Sequence, residues 1–507
     1  MRATGHSATE IRDAKRCGIV AKVRSTPRFA GSPLMKSEPD TAHAGPDELP
    51  HRLIRLGVPA ALFVGLTLLR THGITRSFWM FDDQIRYWDT ALLPFTDLPW
   101  LGPQTHHGGH ALGPGFYWVL WIIRVMLGPW FDNLPHAGAI GQVLLASAAD
   151  TVLLVALWRR TRSVWLALAT VILIATAPFD LALSATIWNP IMAAVAIKTA
   201  TALVLLGWPE HSLGHAGATA AVAWIAMHCN LPAIFPIVGI FAAIVLPPLL
   251  NRNYRDSARR AAMIVLVVTI LQIPYSAQQI WRDPGGGGAG VSAITESLDQ
   301  VLWGPEPLRL TESAASLAHA VNRIQVDPWQ ASWIGWVLAA CGVLVVVRHR
   351  RDVPLLAITV LPLLAALVGY ALWLRDYDDY YYLSVMPAAV LTFQFGLTAL
   401  APARAARGVT IALAVVVVAL LPARARQSTT IHRMPEYGPL VEGSRQILKR
   451  NVAVREIRAD FLPLGSDSEF LFRAMGGQLD PTADWVARVE ASGLVSYDQV
   501  SPGRSGT

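Results

Sequence analysis

Two adjacent carboxylates, Asp82 and Asp83, follow the first long apolar segment of the chain and precede Arg86 and Tyr87. Neighbouring carboxylates repel each other, so such a pair needs a proton, an arginine or a metal ion to compensate its charge. A carboxylate can also take the proton of a reacting hydroxyl group. The pair is therefore a candidate for acid–base chemistry, although a solvated surface turn would carry the same residues.

A second polar stretch, residues 104–110, contains His106, His107 and His110 among glycines. Neutral imidazoles and carboxylates are ordinary ligands of divalent transition metals. A metal site that includes His106 and His107 is one interpretation, and a solvated histidine-rich loop is the other. The cysteines lack a C-x-x-C spacing, so neither a disulfide framework nor a zinc cluster is indicated.

The composition is that of a polytopic membrane protein. Of 507 residues, 53% are hydrophobic and only 15% are charged, and the mean hydropathy is +0.40. These values lie outside the range of soluble globular proteins. Many of the 18 tryptophans lie at the ends of apolar runs, where indole rings meet the lipid headgroups.

The polar N-terminal segment, residues 1–50, is rich in Ser, Pro, Ala and basic residues. It lacks the continuous apolar core of a signal peptide. We expect a disordered basic tail in the cytoplasm. Nothing else in the sequence supports nucleic acid as a partner, so the tail is expected to be solvated or to touch the membrane surface.

The positions of basic residues predict the orientation of the spans because Lys and Arg concentrate in cytoplasmic loops. The first span follows Arg52, and the basic loops 158–162 and 348–351 are expected on the cytoplasmic side. We predict an all-α polytopic membrane protein with about eleven transmembrane helices between residues 51 and 422. The predicted spans are 53–70, 135–157, 164–179, 186–208, 216–231, 233–250, 261–280, 331–347, 354–374, 383–400 and 409–421.

This orientation leaves external loops at about residues 71–136, 281–330 and 375–382. The apolar segment 113–128 is about 16 residues long, too short to span easily, and contains Arg124. It is predicted to lie along the outer membrane surface as an interfacial helix. Mid-span charge is expected to be confined to Lys198.

Residues 423–507 follow the last predicted span and have the charge, proline and glycine content of a globular segment. We expect a small external α/β domain there, with the C-terminus outside. Arg424 and Arg426 run against the positive-inside bias at this position.

Polar residues from separate stretches are thus predicted at one face of the membrane. Such a gathering of polar groups in a polytopic protein suggests a functional site. Asn189 starts a span before Pro190, where a helix cap explains it equally well. His228 lies at an outer helix end, where a hydrogen-bonded structural role is the simple alternative. Arg375 and the tyrosines that follow it suit a lipid phosphate or an aromatic belt.

These features together resemble the C-type membrane glycosyltransferases, in particular the group of protein O-mannosyltransferases and lipid A aminoarabinose transferases. The resemblance rests on the external acidic motif followed by Arg-Tyr, the Gly-Pro-aromatic step at 113–118, the basic Trp-Arg-Arg at 158–160 and the Asn-Pro step at 189–190. It covers the chain from about residue 53 to 400. Its motifs are short, and their order and sidedness carry the likeness.

The resemblance implies that Asp82 or Asp83 is the acidic residue that engages the acceptor or a metal. Asn189 stands where some relatives carry Asp, and an amide is no base, so the base would be Asp82, Asp83 or Asp180. The residues implied to bind the donor phosphate or lipid are Arg86, His228, Arg375 and Tyr381. The residues implied to line the substrate pocket are Tyr87, Tyr117 and Asn189.

The implied reaction transfers a sugar from a polyprenyl phosphate to an envelope glycolipid, polysaccharide or protein at the external face of the plasma (inner) membrane. An external-loop Asp would be the base of an inverting single displacement, with a divalent metal as an optional cofactor. One alternative is a transporter or flippase of a lipid-linked or anionic substrate, which would place ionisable groups at the midplane. The other is a glycan ligase that uses a pyrophosphate-linked donor.

Overall fold

The computed structural model describes residues 48–104, 110–207, 211–282, 299, 308–325, 333–373, 378–400, 403–431 and 433–500. His106, His107 and Arg375 lie outside the described residues, as does the predicted tail except for residues 48–50. The chain divides into two units, Met1–Leu53 and Ile54–Thr507, and all that follows concerns the second.

The described part of the chain is mainly helical. The α-helices are α1 (Glu48–Thr71), α2 (Asp82–Leu92), α3 (Gly115–Leu127), α4 (His136–Thr161), α5 (Val164–Ala175), α6 (Pro178–Ser184), α7 (Asn189–Gly207), α8 (Leu213–Cys229), α9 (Ile234–Leu250), α10 (Tyr254–Ala277), α11 (Leu310–Gln325), α12 (Ile334–His349), α13 (Val353–Leu372), α14 (Met386–Leu400), α15 (Ala403–Ser428), α16 (Tyr437–Arg450) and α17 (Phe470–Ala474). Short 3-10 turns lie at Phe95–Asp97, Gly128–Phe131, Leu231–Ala233 and Asp379–Tyr382. A π turn, Gln278–Arg282, follows α10.

Several helices are long and apolar enough to cross a membrane, as the composition predicts. Among the described residues there are six, or seven if α5 and α6 are one bent span. They are His136–Thr161, Asn189–Gly207, Leu231–Leu250, Tyr254–Trp281, Val353–Leu372 and Thr410–Ser428. The polytopic membrane class is confirmed, whereas the number of eleven spans stays a prediction.

The predicted span 164–179 is not one straight helix. Helix α5 ends at Ala175, and α6 begins at Pro178 after a bend of 64°. Ala177 is extended, with φ −53° and ψ 135°, as expected for a residue that precedes proline. Pro178 then starts the new helix, where its missing N–H costs nothing.

Helix α3 coincides with the segment predicted to be interfacial. Its 13 residues correspond to about 20 Å of helix, too short to cross a bilayer. Ile122, Val125 and Met126 on this helix are about half exposed or more. This apolar surface fits an interfacial position, which stays a prediction.

Contacts between loops show which ones share an end of the helix bundle. The basic loops 158–162 and 348–351, both predicted to be cytoplasmic, lie together, because Arg160 donates to the carboxylate of Asp352 next to the second loop. At the other end, His136 at the start of α4 bonds to Tyr437 of the C-terminal segment. The two basic loops thus share one end of the helix bundle, and the side of the membrane that each end faces stays a prediction.

The position of Arg424 does not indicate which side of the membrane this end of the helix faces. Only 7% of this residue is exposed, and its guanidinium donates to the Leu173 and Gln325 carbonyls and to the Thr176 hydroxyl. The side chain binds neighbouring helices at the α5–α6 bend. Helix α15 continues past the predicted end of the last span to Ser428, so Arg424 is a packed residue within a helix. The positive-inside rule, which counts exposed loop charges, does not apply to it.

The C-terminal residues 437–499 combine α16 and α17 with a three-stranded sheet of order β1-β2-β3. The strands are β1 (Glu456–Arg458), β2 (Trp485–Val489) and β3 (Val495–Gln499). Strand β1 pairs with β2 in parallel, Ile457 opposite Ala487, and β2 pairs with β3 antiparallel, Ala487 opposite Tyr497. The sheet buries Ile457, Ala487 and Val489 against α16 and α17.

Glycines on α4 allow α2 and α3 to pack closely against it. A Cβ atom at Gly138 would lie 2.5 Å from the Trp88 ring, and one at Gly141 would lie 2.2 Å from Ile123. Trp88 is fully buried and donates its Nε1 proton to the Asn133 carbonyl at 2.6 Å. This packing fixes the rotation of α2 about its own axis.

Candidate functional site

The two carboxylates of the Asp pair point away from each other because they start a helix. Consecutive residues on an α-helix are about 100° apart, whereas residues four apart differ by only about 40°. Asp83 therefore shares a face of α2 with Tyr87, and Asp82 shares another face with Asp89. We call these the site face and the back face of α2.

The site face joins Asp83 to a cation. Arg86 forms an ion pair with Asp83, and both side chains are a little under half exposed. The other nitrogen of the guanidinium, Nη1, donates to Gln104 Oε1 at 3.1 Å. Burial, and next the Asp83 carboxylate, raise the pKa of Tyr87 well above its usual range. The acidic motif and the Gln104 stretch thus form one polar patch.

Tyr87 links this patch to helices α7 and α8. Its hydroxyl donates to Asn189 Oδ1 at 3.2 Å, and Asn189 Nδ2 donates to the Cys229 carbonyl at 2.8 Å. The Tyr87 ring packs edge-on against Phe116, with centroids 5.0 Å apart, and Tyr117 lies next to it at 6.3 Å. Asn189 therefore joins α2, α7 and α8, which explains an amide at this position without a role as base.

The Tyr117 ring lies beside the same ion pair. Burial raises its pKa to about 12, and Arg86 and Asp83 act on it with opposite sign. The hydroxyl therefore stays protonated at neutral pH. Tyr117 can donate a hydrogen bond to a bound substrate but cannot serve as a base there.

His228 lies beneath glycines of the loop between α2 and α3. The side chain is fully buried, and within the described residues neither ring nitrogen has a hydrogen-bond partner. A Cβ atom at Gly113 would lie 2.6 Å from the imidazole, and one at Gly115 would lie 3.0 Å from it. A phosphate could reach this ring only if the loop moved, so the predicted phosphate contact of His228 stays a prediction.

The close approach of Gly113 to His228 can be tested by substitution. Gly113→Ala is expected to lower the free energy of unfolding by about 1–3 kcal/mol, because the new methyl group overlaps a buried ring. Unfolding of purified protein by denaturant in detergent measures the loss. Gly214→Ala is the control, since a Cβ atom there has no neighbour within 4 Å. Adding His228→Ala to Gly113→Ala should recover part of the loss, and purely additive effects would contradict the contact.

Two tyrosines of the predicted loop 375–382 reach the same end of the bundle. Tyr380 packs on Trp188, directly before Asn189, with ring centroids 4.7 Å apart. Tyr381 is half buried against Tyr380, and its carbonyl accepts a bond from the Tyr370 hydroxyl at 3.1 Å. The structure thus brings Tyr381 to the neighbourhood of Asn189, whereas Arg375 lies outside the described residues.

The back face of α2 meets the C-terminal segment. A Cβ atom at Gly465 would lie 3.5 Å from Asp82 Oδ1. Burial raises the pKa of Asp89, and the nearby Arg473 partly offsets this effect. Asp82 is exposed, and it forms no ion pair within the described residues. The adjacent carboxylates therefore face different partners.

A buried cluster of charges lies deeper in the bundle, and sequence reasoning missed most of it. Arg70 Nη2 bonds to Asp150 at 2.7 Å and to Asp180 at 2.5 Å. Lys198 Nζ bonds to the same carboxylates at 2.8 Å and 3.1 Å. At most 7% of any of the four residues is exposed. We call these four residues the buried quartet.

The quartet corrects two expectations. Mid-span charge is not confined to Lys198, since Asp150 lies in α4 about 21 Å along the helix from its start. Asp180 is not a free carboxylate at the outer face, because both of its oxygens bind cations. Charge neutrality explains the cluster, as two anions and two cations satisfy one another. The signal in the sequence was the presence of single charges in apolar segments, whose pairing the linear order does not reveal.

A small cavity borders the quartet. Asp180 and Lys198 line it together with Gln325, whose Oε1 has no hydrogen-bond partner within the described residues. The remaining lining residues are Ile174, Ala177, Ala194, Ile324, Leu383, Met386 and Pro387. The cavity is mostly apolar and lies between α5, α6, α7, α11 and α14.

The predicted metal site is not supported by the described residues. Among them no group of three or more His, Cys, Asp or Glu side chains is placed to hold a metal ion. His106 and His107 lie outside the described residues, and His110 bonds through Nδ1 to the Gly102 carbonyl at 3.0 Å. The metal stays a prediction, and no chemical step is assigned to it.

Comparisons with known proteins address the fold. No protein-family model and no curated protein matches the sequence. Among solved structures, ArnT from Cupriavidus metallidurans bound to undecaprenyl phosphate matches with 16% identity and a TM-score of 0.50, over 82% of this chain and 85% of that one. Its apo state matches with 14% identity and a TM-score of 0.52, over 85% and 86% of the two chains.

An oligosaccharyltransferase from Archaeoglobus fulgidus in the apo form also matches, with 13% identity and a TM-score of 0.44, over 85% of this chain and 65% of that one. The likeness to ArnT confirms, at the level of the fold, the resemblance found in the sequence. The chain shares the fold of the two ArnT structures.

Proposed function

We propose that this chain transfers a sugar from a polyprenyl-phosphate donor to an acceptor hydroxyl group. The observation that carries the proposal is the ion pair of Asp83 and Arg86, next to Tyr87, which bonds to Asn189 where α2 meets α7 and α8. The ArnT structure with undecaprenyl phosphate supports this class of donor. A carboxylate and a guanidinium are the groups that such a reaction needs.

The reaction breaks the bond between the anomeric carbon and the donor phosphate oxygen, and forms a bond from that carbon to the acceptor oxygen. Asp83 takes the proton of the acceptor hydroxyl as the new bond forms. Arg86 stabilises the charge on the departing phosphate, which its planar guanidinium can bind with two hydrogen bonds. A single displacement of this kind inverts the configuration at the anomeric carbon.

The pairing of Asp83 with Arg86 links the two proposed roles. A donor phosphate would compete with Asp83 for the same guanidinium, because both are anions that arginine binds through its N–H groups. Donor binding would therefore weaken the ion pair and free the Asp83 carboxylate to contact the acceptor hydroxyl.

The other predicted residues support this site in different ways. Tyr87 and Asn189 bind each other and form part of its wall, and the protonated Tyr117 can donate to a substrate oxygen. Asp82 faces the C-terminal segment, so we assign the proton transfer to Asp83. The site is proposed to open on the external face of the plasma (inner) membrane, with a cytoplasmic N-terminus, a C-terminus outside and an envelope glycolipid, polysaccharide or protein as acceptor.

The proposal is tested with purified protein in lipid nanodiscs and a panel of labelled polyprenyl-monophosphate sugars. Cell-envelope extract serves as the source of acceptor. We expect polyprenyl phosphate to be released, and label to enter the extract, only when both are present. Transfer only from pyrophosphate-linked glycans would support the ligase alternative instead.

A transporter is the second candidate, and the buried quartet is the observation that favours it. Ionisable groups within membrane helices often mark transport pathways. Here, however, the two cations bind both carboxylates at 2.5–3.1 Å, which leaves little capacity for a charged substrate. Movement of a labelled polyprenyl-phosphate sugar across proteoliposomes without bond cleavage would favour transport over transfer.

A further inference from the structure

The segment that leads into α2 is held by the C-terminal part of the chain. Ser466 Oγ donates to the Met80 carbonyl at 3.2 Å, and Arg433 Nη1 donates to the Ser77 carbonyl at 3.2 Å. These bonds occupy backbone groups of a connection that has no regular secondary structure. Residues 76–81 are thus fixed from outside their own element.

Aromatic contacts add to this attachment. Tyr437 is fully buried, and its ring lies 5.2 Å from that of Phe78. The Tyr437 hydroxyl bonds to His136 Nδ1 at 2.7 Å, which extends the contact to the start of α4. The C-terminal segment therefore holds both ends of the 72–135 loop.

Gly465 lies against the start of α2. Its φ of +85° lies in the region that favours glycine, and a Cβ atom there would lie 3.3 Å from the Phe81 ring and 3.5 Å from Asp82 Oδ1. Phe81 is the N-cap of α2 and offers no side-chain hydrogen bond to the helix. The start of α2 lacks a side-chain cap of its own, so these outside contacts hold its first turn, in addition to the packing of Trp88 on α4.

We propose that the C-terminal segment, residues 433–500, is a positioning element for the catalytic helix α2. Through Gly465, Ser466, Arg433 and Tyr437 it fixes the start of this helix, and thereby the direction in which Asp83 and Arg86 point. The catalytic part of this inference rests on the proposed function. The structural part, that α2 is ordered by the C-terminal segment, does not depend on any activity.

A matched pair of glycine substitutions tests the contact at Gly465. Asn tolerates positive φ better than most residues, so Gly465→Asn mainly adds a side chain against Phe81 and Asp82. Gly476 has nearly the same φ, +88°, but a Cβ atom there has no neighbour within 4 Å. Gly476→Asn therefore forces asparagine into the same positive φ but adds no contact with another residue.

A second pair tests the tyrosine. Tyr437→Phe removes only the hydroxyl that bonds His136, and leaves the ring on Phe78. Tyr497→Phe is its control, because the Tyr497 hydroxyl is buried without a hydrogen-bond partner within the described residues. Both variants keep the packing of the C-terminal sheet, so loss of folding is not expected to confuse the comparison.

Hydrogen exchange of the full-length protein in nanodiscs measures the order of α2 directly. We expect amides of residues 76–92 to exchange about tenfold faster in Gly465→Asn and Tyr437→Phe, and at the original rate in both controls. In the transfer assay, kcat should fall and KM for the donor should rise in the same two variants, because Asp83 and the phosphate-binding Arg86 are displaced together. Equal exchange of residues 76–92 in all four variants would overturn the inference, whatever the outcome for the proposed function.

Discussion

Replacing Asp83 with Asn is expected to lower kcat for sugar transfer by about 10²–10⁴-fold, the range found when a general base is removed. Asn cannot accept the proton of the acceptor hydroxyl, and it leaves Arg86 without its anionic partner. The measurement is the initial rate of acceptor-dependent release of polyprenyl phosphate. The yield and melting temperature of the variant should stay close to those of the parent protein, since both side chains of the Asp83–Arg86 pair are nearly half exposed and such a pair contributes little stability.

Asp82→Asn is the matched control for this prediction, because it makes the same chemical change one position earlier in the chain. Asp82 lies on the back face of α2 near Gly465, so we expect kcat to stay within about threefold of the parent value, as for most exposed substitutions. If Asp82→Asn abolished transfer and Asp83→Asn did not, the assignment within the pair would be reversed. Full activity of both variants would exclude this acidic motif from the chemistry.

The second large effect concerns the buried quartet. Lys198→Met is expected to lower the free energy of unfolding by about 3–5 kcal/mol, because it leaves a net negative charge where no water can solvate it. Denaturant unfolding in detergent measures this loss. Arg488→Gln is the control: Arg488 pairs with Asp460 on the surface, where both side chains are well exposed, and its loss should cost less than about 1 kcal/mol.

A double variant separates charge balance from packing. Adding Asp150→Asn to Lys198→Met removes one anion as well as one cation, and leaves Arg70 paired with Asp180. We expect the double variant to be more stable than Lys198→Met alone, so that the two changes are strongly coupled. A loss in Lys198→Met no greater than in the surface control would mean that the quartet does not hold α1, α4, α6 and α7 together.

The quartet also shows why sequence analysis could place the spans but not their contacts. Each residue of the quartet is a single charge in or beside an apolar segment. Taken alone, each charge can be explained without any partner. The hydropathy of a span averages over its residues, so one charge hardly changes it. The pairing of the two anions with the two cations can be seen only when the four helices are packed together.

The bend between α5 and α6 is a case in which a local signal was present. Pro178 disfavours a helical conformation at Ala177 and starts a new helix, yet the apolar run continues through it and predicts one span. Hydropathy measures the free energy of transfer into lipid and contains no information about the direction of the backbone. The bend directs Asp180 toward Arg70 and Lys198 instead of the membrane surface.

The membrane class, the order of the apolar segments, the resemblance to C-type glycosyltransferases and the acidic Arg-Tyr motif could all be predicted from the sequence, because each depends on composition or on neighbours along the chain. The sequence could not reveal which face of α2 turns toward Asn189, since that depends on the rotation of the helix, which the packing of Trp88 on the α4 glycines fixes. The position of His228 under Gly113 and the bonds of the C-terminal segment to Ser77 and Met80 likewise depend on how the chain packs. These are contacts between residues far apart in the chain, and their energies arise only when the helices pack.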